Sequence, residues 1–67
     1  MIFRRIRELR EDHDLTQAVL ADYLGVRQTT YSKYELGRVE VPAEVLIKLA
    51  DYYQVSLDYL VGREGRR

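Results

Sequence analysis

The side chains able to do covalent or metal chemistry in this 67-residue chain are few, and their types close most routes. His13 is the single histidine, and there is no cysteine. Ser32 and Ser56 therefore have only His13 to draw on as a base, and no nucleophile has a matching partner. The Gly-rich loop that would cradle a nucleotide phosphate is missing. A lone histidine cannot complete a multi-histidine zinc site, and without cysteine there are neither thiolate metal sites nor disulfides. The run Glu11-Asp12-His13-Asp14 has neither the spacing nor the turn glycine of a calcium loop, so it reads as a solvated helix end. The expectation is a protein that is not an enzyme and carries no metal or cofactor.

A second group of polar residues is better organised. On a helix of about 100° per residue, Gln28, Thr29, Ser32 and Lys33 share one arc, while Thr30, Tyr31 and Tyr34 lie opposite. The first arc is polar and rich in donors. The other is mostly aromatic and should face inward. Charge follows a comparable segregation, although 11 Lys plus Arg balance 11 Asp plus Glu. Residues 1–10 sum to +3, 11–24 to −4, 25–39 to +2, 40–60 to −3 and 61–67 to +2. A fold joining the first and third blocks would be bipolar, with one face able to hold phosphates.

The elements that must position these residues are short helices. Ile2, Ile6, Leu9 and His13 recur at steps of four, three and four, so a first amphipathic helix runs to about His13, which closes its stripe as a partly buried packing residue. Thr16 supplies a hydroxyl for an N-cap, Leu20, Ala21 and Leu24 form an inward stripe, and Gly25 ends a second helix over about 17–24. Residues 27–36 form a third helix closed by Gly37. Pro42 fits the first turn of a fourth, whose apolar positions cover most of its circumference and so predict burial on most sides. Ser56 caps a fifth, ended by Gly62. With no strand alternation, the chain reads as all α: a compact five-helix bundle over residues 1–62 with a basic tail at 63–67. No apolar run approaches the ~20 residues of a membrane span, and Met1-Ile2-Phe3-Arg4-Arg5 lacks a signal-peptide core, so a cytoplasmic protein with no membrane association is expected.

Two short helices joined through Gly25, with the small Ala21 where they approach, make a specific geometric statement. Leu15-Thr16-Gln17, Leu20-Ala21, Leu24-Gly25-Val26, Tyr31-Ser32-Lys33-Tyr34-Glu35, Gly37-Arg38, Leu49-Ala50-Asp51 and Val55-Ser56-Leu57-Asp58 carry a resemblance over about residues 2–62. The chain resembles the phage-repressor and Cro-like, or XRE-type, helix-turn-helix family. That resemblance implies a bundle of the lambda-repressor-like DNA-binding type, with helices two and three as the helix-turn-helix and helix three in the DNA major groove. It implies a transcriptional regulator of double-stranded DNA, a repressor acting by operator occupancy. Gln28, Thr29, Ser32 and Lys33 would then face bases, and Gln17, Arg27 and Arg38 would meet phosphates. The chemistry agrees: Gln pairs bidentately with adenine, the Thr methyl meets a thymine methyl, and Lys donates to guanine.

Departures from the family pattern are informative. Arg27 stands where many members cap the recognition helix with Ser or Thr, and it brings charge for the backbone instead of an acceptor. Tyr31 replaces the frequent Ile or Val, and Val19 and Tyr23 occupy usually polar positions of helix two. A reader of three or four side chains specifies too few base pairs to mark a unique genomic site, which predicts a homodimer on a palindromic operator, its two helices about 34 Å apart. The candidate dimer surface is Tyr52, Val55, Leu57 and Tyr59, with the Val19 and Tyr23 patch as the alternative. Small members of this family also resemble antitoxins and restriction-control proteins, which couple DNA binding to a small protein partner.

Overall fold

The computed structural model describes residues 2–63. Its elements are α1 (Arg4–Asp12), α2 (Gln17–Leu24), α3 (Gln28–Leu36), α4 (Ala43–Tyr53) and α5 (Leu57–Leu60), with no strand among the described residues. Of the tail expected at 63–67, only Arg63 lies within them.

Local chemistry sets the boundaries. Thr16 Oγ1 accepts the Val19 N–H at 3.3 Å and opens α2; Ser56 Oγ accepts the Tyr59 N–H at 2.9 Å and opens α5. Each helix ends with the same pair of backbone bonds, a tight one and one spanning five residues, which satisfies its last carbonyls. After α2 these are Gly25 N–H to Asp22 O and Val26 N–H to Ala21 O. The device needs a left-handed residue, and Gly25 supplies it at φ 72°. After α1 and α4 that position is filled by Asp14 and Gln54.

The core gathers one stripe from each helix: Ile6 and Leu9, Leu20 and Ala21, Tyr31, Leu49, and Leu60 are all buried. Three expectations change here. Ile2 is exposed because α1 begins only at Arg4; its side chain lies over Gly37, and Phe3 packs against the core instead. His13 is exposed and caps α1, donating from Nδ1 to Leu9 O at 2.8 Å with its ring centroid 5.0 Å from that of Tyr53. Finally, α4 is covered on one side, through Val45, Leu49, Ala50 and Tyr53, while Ile47 is 50% and Tyr52 37% exposed. In so small a bundle there are too few neighbours to cover every apolar residue of a helix.

Packing at the α2–α3 elbow predicts two outcomes. Ala21 is buried, so Ala21→Leu overpacks the pair and should cost about 1–3 kcal/mol. Around Gly25 a Cβ would meet open space, so Gly25→Ala should cost only the left-handed backbone strain, about 1–2 kcal/mol, with Gly25→Val costing more. Urea melts of the variants check both, and wild-type midpoints would contradict the elbow's geometry.

Candidate nucleic-acid interface

α2 and α3 make the most extensive helix contact of the bundle. Leu20, Ala21 and Leu24 meet α3 through Tyr31 and Tyr34, and this inward packing turns the opposite face of α3 to solvent. Gln28, Thr29 and Lys33 are exposed there, and Ser32 is half-buried beside them. Thus the four residues of the polar arc share a face, and three of them are exposed. Leu36, absent from the arc expected on sequence grounds, is exposed one turn beyond Ser32 and Lys33.

The residues expected on phosphates flank this helix. Arg27 is the exposed N-cap of α3 in extended backbone (φ −70°, ψ 150°) and makes no side-chain cap, so its side chain leaves the first N–H groups at the positive end of the helix dipole unoccupied. Arg38 is exposed immediately after Gly37. Gln17 differs. It is half-buried, and its Nε2 donates to Glu35 Oε1 at 3.1 Å.

Glu35 is the residue that sequence reasoning passed over. Only 7% exposed, it receives Arg10 Nε on Oε2 at 2.7 Å and Arg10 Nη2 on Oε1 at 3.1 Å, while Arg10 Nη1 donates to Leu15 O at 2.9 Å. One carboxylate therefore ties α1, the loop before α2, α2 and α3 together. Burial alone would push the Glu35 carboxyl up, but the hydrogen bonds of Arg10 and Gln17, the nearby Tyr31 hydroxyl and the Arg10 charge outweigh it and hold it below its ordinary 4.5. The hydrogen bond to Glu35 in turn pushes the Arg10 guanidinium up despite burial. Tyr31 Oη is buried near the same anion without a well-formed hydrogen bond; burial, then the anion, push its pKa far up, so it remains a neutral phenol.

This network also corrects the expected use of the N-terminal charge block. Arg10 is turned inward to Glu35, Arg5 lies 4.1 Å over the Tyr59 ring and donates to Tyr59 O at 2.6 Å, and Arg7 pairs with Glu11 at 3.2 Å. Of the four α1 arginines, Arg5 and Arg10 are thus engaged within the fold and Arg7 in a surface ion pair. Cationic charge beside the exposed arc comes from Arg27, Lys33 and Arg38.

The four residues considered for dimerisation divide by exposure. Leu57 is 44% exposed and Tyr52 nearly as much, whereas Val55 and Tyr59 are half-buried against the core, Tyr59 beneath Arg5. Tyr23, assigned to a separate patch, packs against Tyr52 with ring centroids 4.7 Å apart and planes tilted by 55°, and it donates to Lys48 O at 3.2 Å. The two patches therefore meet across α2 and α4. Among the described residues no cluster of His, Asp or Glu could hold a metal ion, and no helix is long and apolar enough to cross a membrane.

Comparison with known proteins agrees with this geometry. A helix-turn-helix family model matches residues 6–60. The chain is 40% identical over 62 residues to the cryptic phage CTXphi transcriptional repressor RstR of Vibrio cholerae, and 39% identical over 62 residues to the HTH-type transcriptional regulator YobD of Bacillus subtilis. Each alignment takes in 92% of this chain and 55% of the relative, so the chain spans about half the length of these curated relatives. The P22 c2 repressor, solved in complex with a synthetic operator, superposes with a TM-score of 0.81 at 31% identity, covering 96% of this chain and 98% of that one. The five-helix fold is thus that of a lambda-repressor-like domain, and the chain belongs to the XRE-type helix-turn-helix family that these regulators and phage repressors share.

Proposed function

We propose that this chain is a sequence-specific double-stranded DNA-binding regulator that represses transcription by occupying an operator, with α3 in the major groove. Gln28, Thr29, Ser32 and Lys33 read bases, and Gln17, Arg27 and Arg38 hold phosphates. The observation that carries this reading is the exposed arc of α3 set on a buried α2–α3 elbow, in a fold that superposes on a repressor solved with its operator. Such a protein acts in the cytoplasm, by binding and without catalysing a reaction. Residues 1–62 are the DNA-binding unit. It works as a homodimer on a palindrome, and the partly exposed apolar residues at the α4–α5 junction, Tyr52 and Leu57 foremost, support that surface.

Selection of bound sequences from random duplex DNA tests the proposal. Enrichment of a twofold motif with half-sites one helical turn apart is expected. Failure to enrich any sequence, with no salt-sensitive binding, overturns it. Sedimentation equilibrium of the 7.9 kDa chain at micromolar concentration, with and without the selected duplex, reads the dimer directly. A monomer in both conditions removes that part.

Phosphate-binding residues should be separable by their counterions. Arg38→Ala should weaken binding to every duplex alike and make the salt dependence shallower by about 0.9 in log–log slope for each bound protomer, the share of one neutralised phosphate, and so by about 1.8 for a dimer. Gln17→Ala should also weaken every duplex but leave the slope unchanged, since no charge is removed. Titrations from 50 to 200 mM salt, roughly the range over which such differences are resolved, check both.

A further inference from the structure

The buried carboxylate has a second hydrogen-bonded partner besides Arg10, and it stands at the start of α2. Gln17 Nε2 lies 3.1 Å from Glu35 Oε1, and Glu35 is locked by a two-pronged contact from Arg10. A carboxylate only accepts, so the Gln17 amide must turn its NH2, and not its carbonyl oxygen, toward Glu35. One of the two Nε2 protons is then used. The other remains on a half-buried side chain at the first residue of α2, where the helix N-terminus already favours an anion. A phosphate oxygen also only accepts, so binding to it needs that same NH2.

We infer that Glu35 is a positioning residue for DNA backbone binding: it orients the Gln17 amide so that its second N–H is presented to a phosphate. Orientation matters because a free glutamine samples many rotamers and both amide flips, and immobilising it on binding costs affinity. Here the rotamer is chosen before DNA arrives. The same bond places α1, through Arg10, in mechanical continuity with the phosphate-binding amide. The inference rests on the DNA-binding reading of Gln17 and deepens it.

The test must separate orientation from stability. The variant Arg10→Met/Glu35→Leu replaces the ion pair by apolar side chains, a change that folded proteins often tolerate, and it leaves net charge unchanged. Affinity for a random-sequence duplex is measured for wild type, Gln17→Ala, the apolar pair, and the triple variant. Gln17→Ala should bind about threefold to tenfold more weakly for each bound protomer, the range of one hydrogen bond. The apolar pair should weaken by a similar factor, and the triple variant should be no weaker than Gln17→Ala alone. A merely structural role for Glu35 would add its effect in full to that of Gln17→Ala, and that outcome overturns the inference. If Gln17→Ala binds as wild type does, the phosphate role of Gln17 falls and the inference with it; if it weakens but the effects add, only the role of Glu35 falls. A measurement on the wild-type protein guards against misfolding of the apolar pair. In its amide NMR spectrum the random duplex should shift one of the two Gln17 Nε2 protons and not the other. Equal or absent shifts overturn the inference as well.

Discussion

Arg10→Met should remove a large share of this protein's stability. Removing one member of a buried ion pair costs about 3–5 kcal/mol, because its partner is left charged in a site that water cannot reach. At about 0.05–0.15 kcal/mol per residue, a chain of 67 residues has only roughly 3–10 kcal/mol to lose. The Glu35 side chain is 3% exposed and that of Arg10 13%, so the orphaned carboxylate is the worse remainder. Arg10→Met should accordingly cost more than Glu35→Ala, after which the guanidinium still donates to Leu15 O and can swing toward solvent. Urea melts give the ordering, and equal midpoints for both variants and wild type would show that the network holds nothing.

The pH dependence of the same variants carries a sign that packing alone would not. In the wild-type protein the Glu35 carboxyl is held below its ordinary 4.5, so the unfolded chain binds its proton first. The stability supplied by Glu35 is therefore complete above about pH 4.5 and is lost as pH falls through the lowered native value. Burial is already the largest single influence on Glu35, and without the opposing hydrogen bond and charge of Arg10 it should raise the carboxyl. The acid-side slope should then flatten or reverse, since protonation relieves a buried anion. An Arg10→Met protein that keeps the full wild-type acid slope would show that Gln17 and Tyr31 suffice to hold the charge.

This network marks the limit of what the sequence discloses. α2 was legible to the residue, because a capping hydroxyl at Thr16 and a left-handed glycine at 25 are local signals placed on either side of an apolar stripe. The exposed arc of α3 was legible from helical periodicity, since Tyr31 and Tyr34 mark the inward side and Gly37 the end of the helix, although Arg27 gives it no side-chain cap. Glu35 was not: at about 100° per residue it falls within about 20° of Gln28 on the helical wheel, and the wheel places both in solvent. They differ because α1 covers the C-terminal end of α3 and leaves its N-terminal turn open, a fact fixed by contacts 25 positions apart in the chain. Apolar content misled at α4 for a related reason. Ile47 and Tyr52 are hydrophobic, but burial is decided by whether a neighbour exists to cover them.

Replacing Gln28 and Lys33 by alanine should give the largest functional effect, and its size reports the assembly. A bidentate or well-aligned base contact is worth about 1–3 kcal/mol of discrimination. On a twofold operator each substitution acts in both half-sites, and effects at separate positions add, so each should cost about 2–6 kcal/mol on the best site. At about 1.4 kcal/mol per decade that is roughly thirtyfold to ten-thousandfold in affinity. A single domain bound to a single site would show only half of that free energy. The two residues differ on random DNA. Gln28 is neutral, so Gln28→Ala should leave random-duplex affinity and its salt slope at wild-type values while preference relaxes at one position of each half-site. Lys33→Ala removes a charge beside the backbone, so random-duplex binding should also weaken and the slope become shallower. Binding of the selected operator and a scrambled duplex, each titrated against salt, separates these outcomes. If both variants hold the selected operator as wild type does, α3 is not the reading helix. If Gln28→Ala weakens both duplexes equally, its amide meets the backbone and the bases are read from elsewhere on the arc.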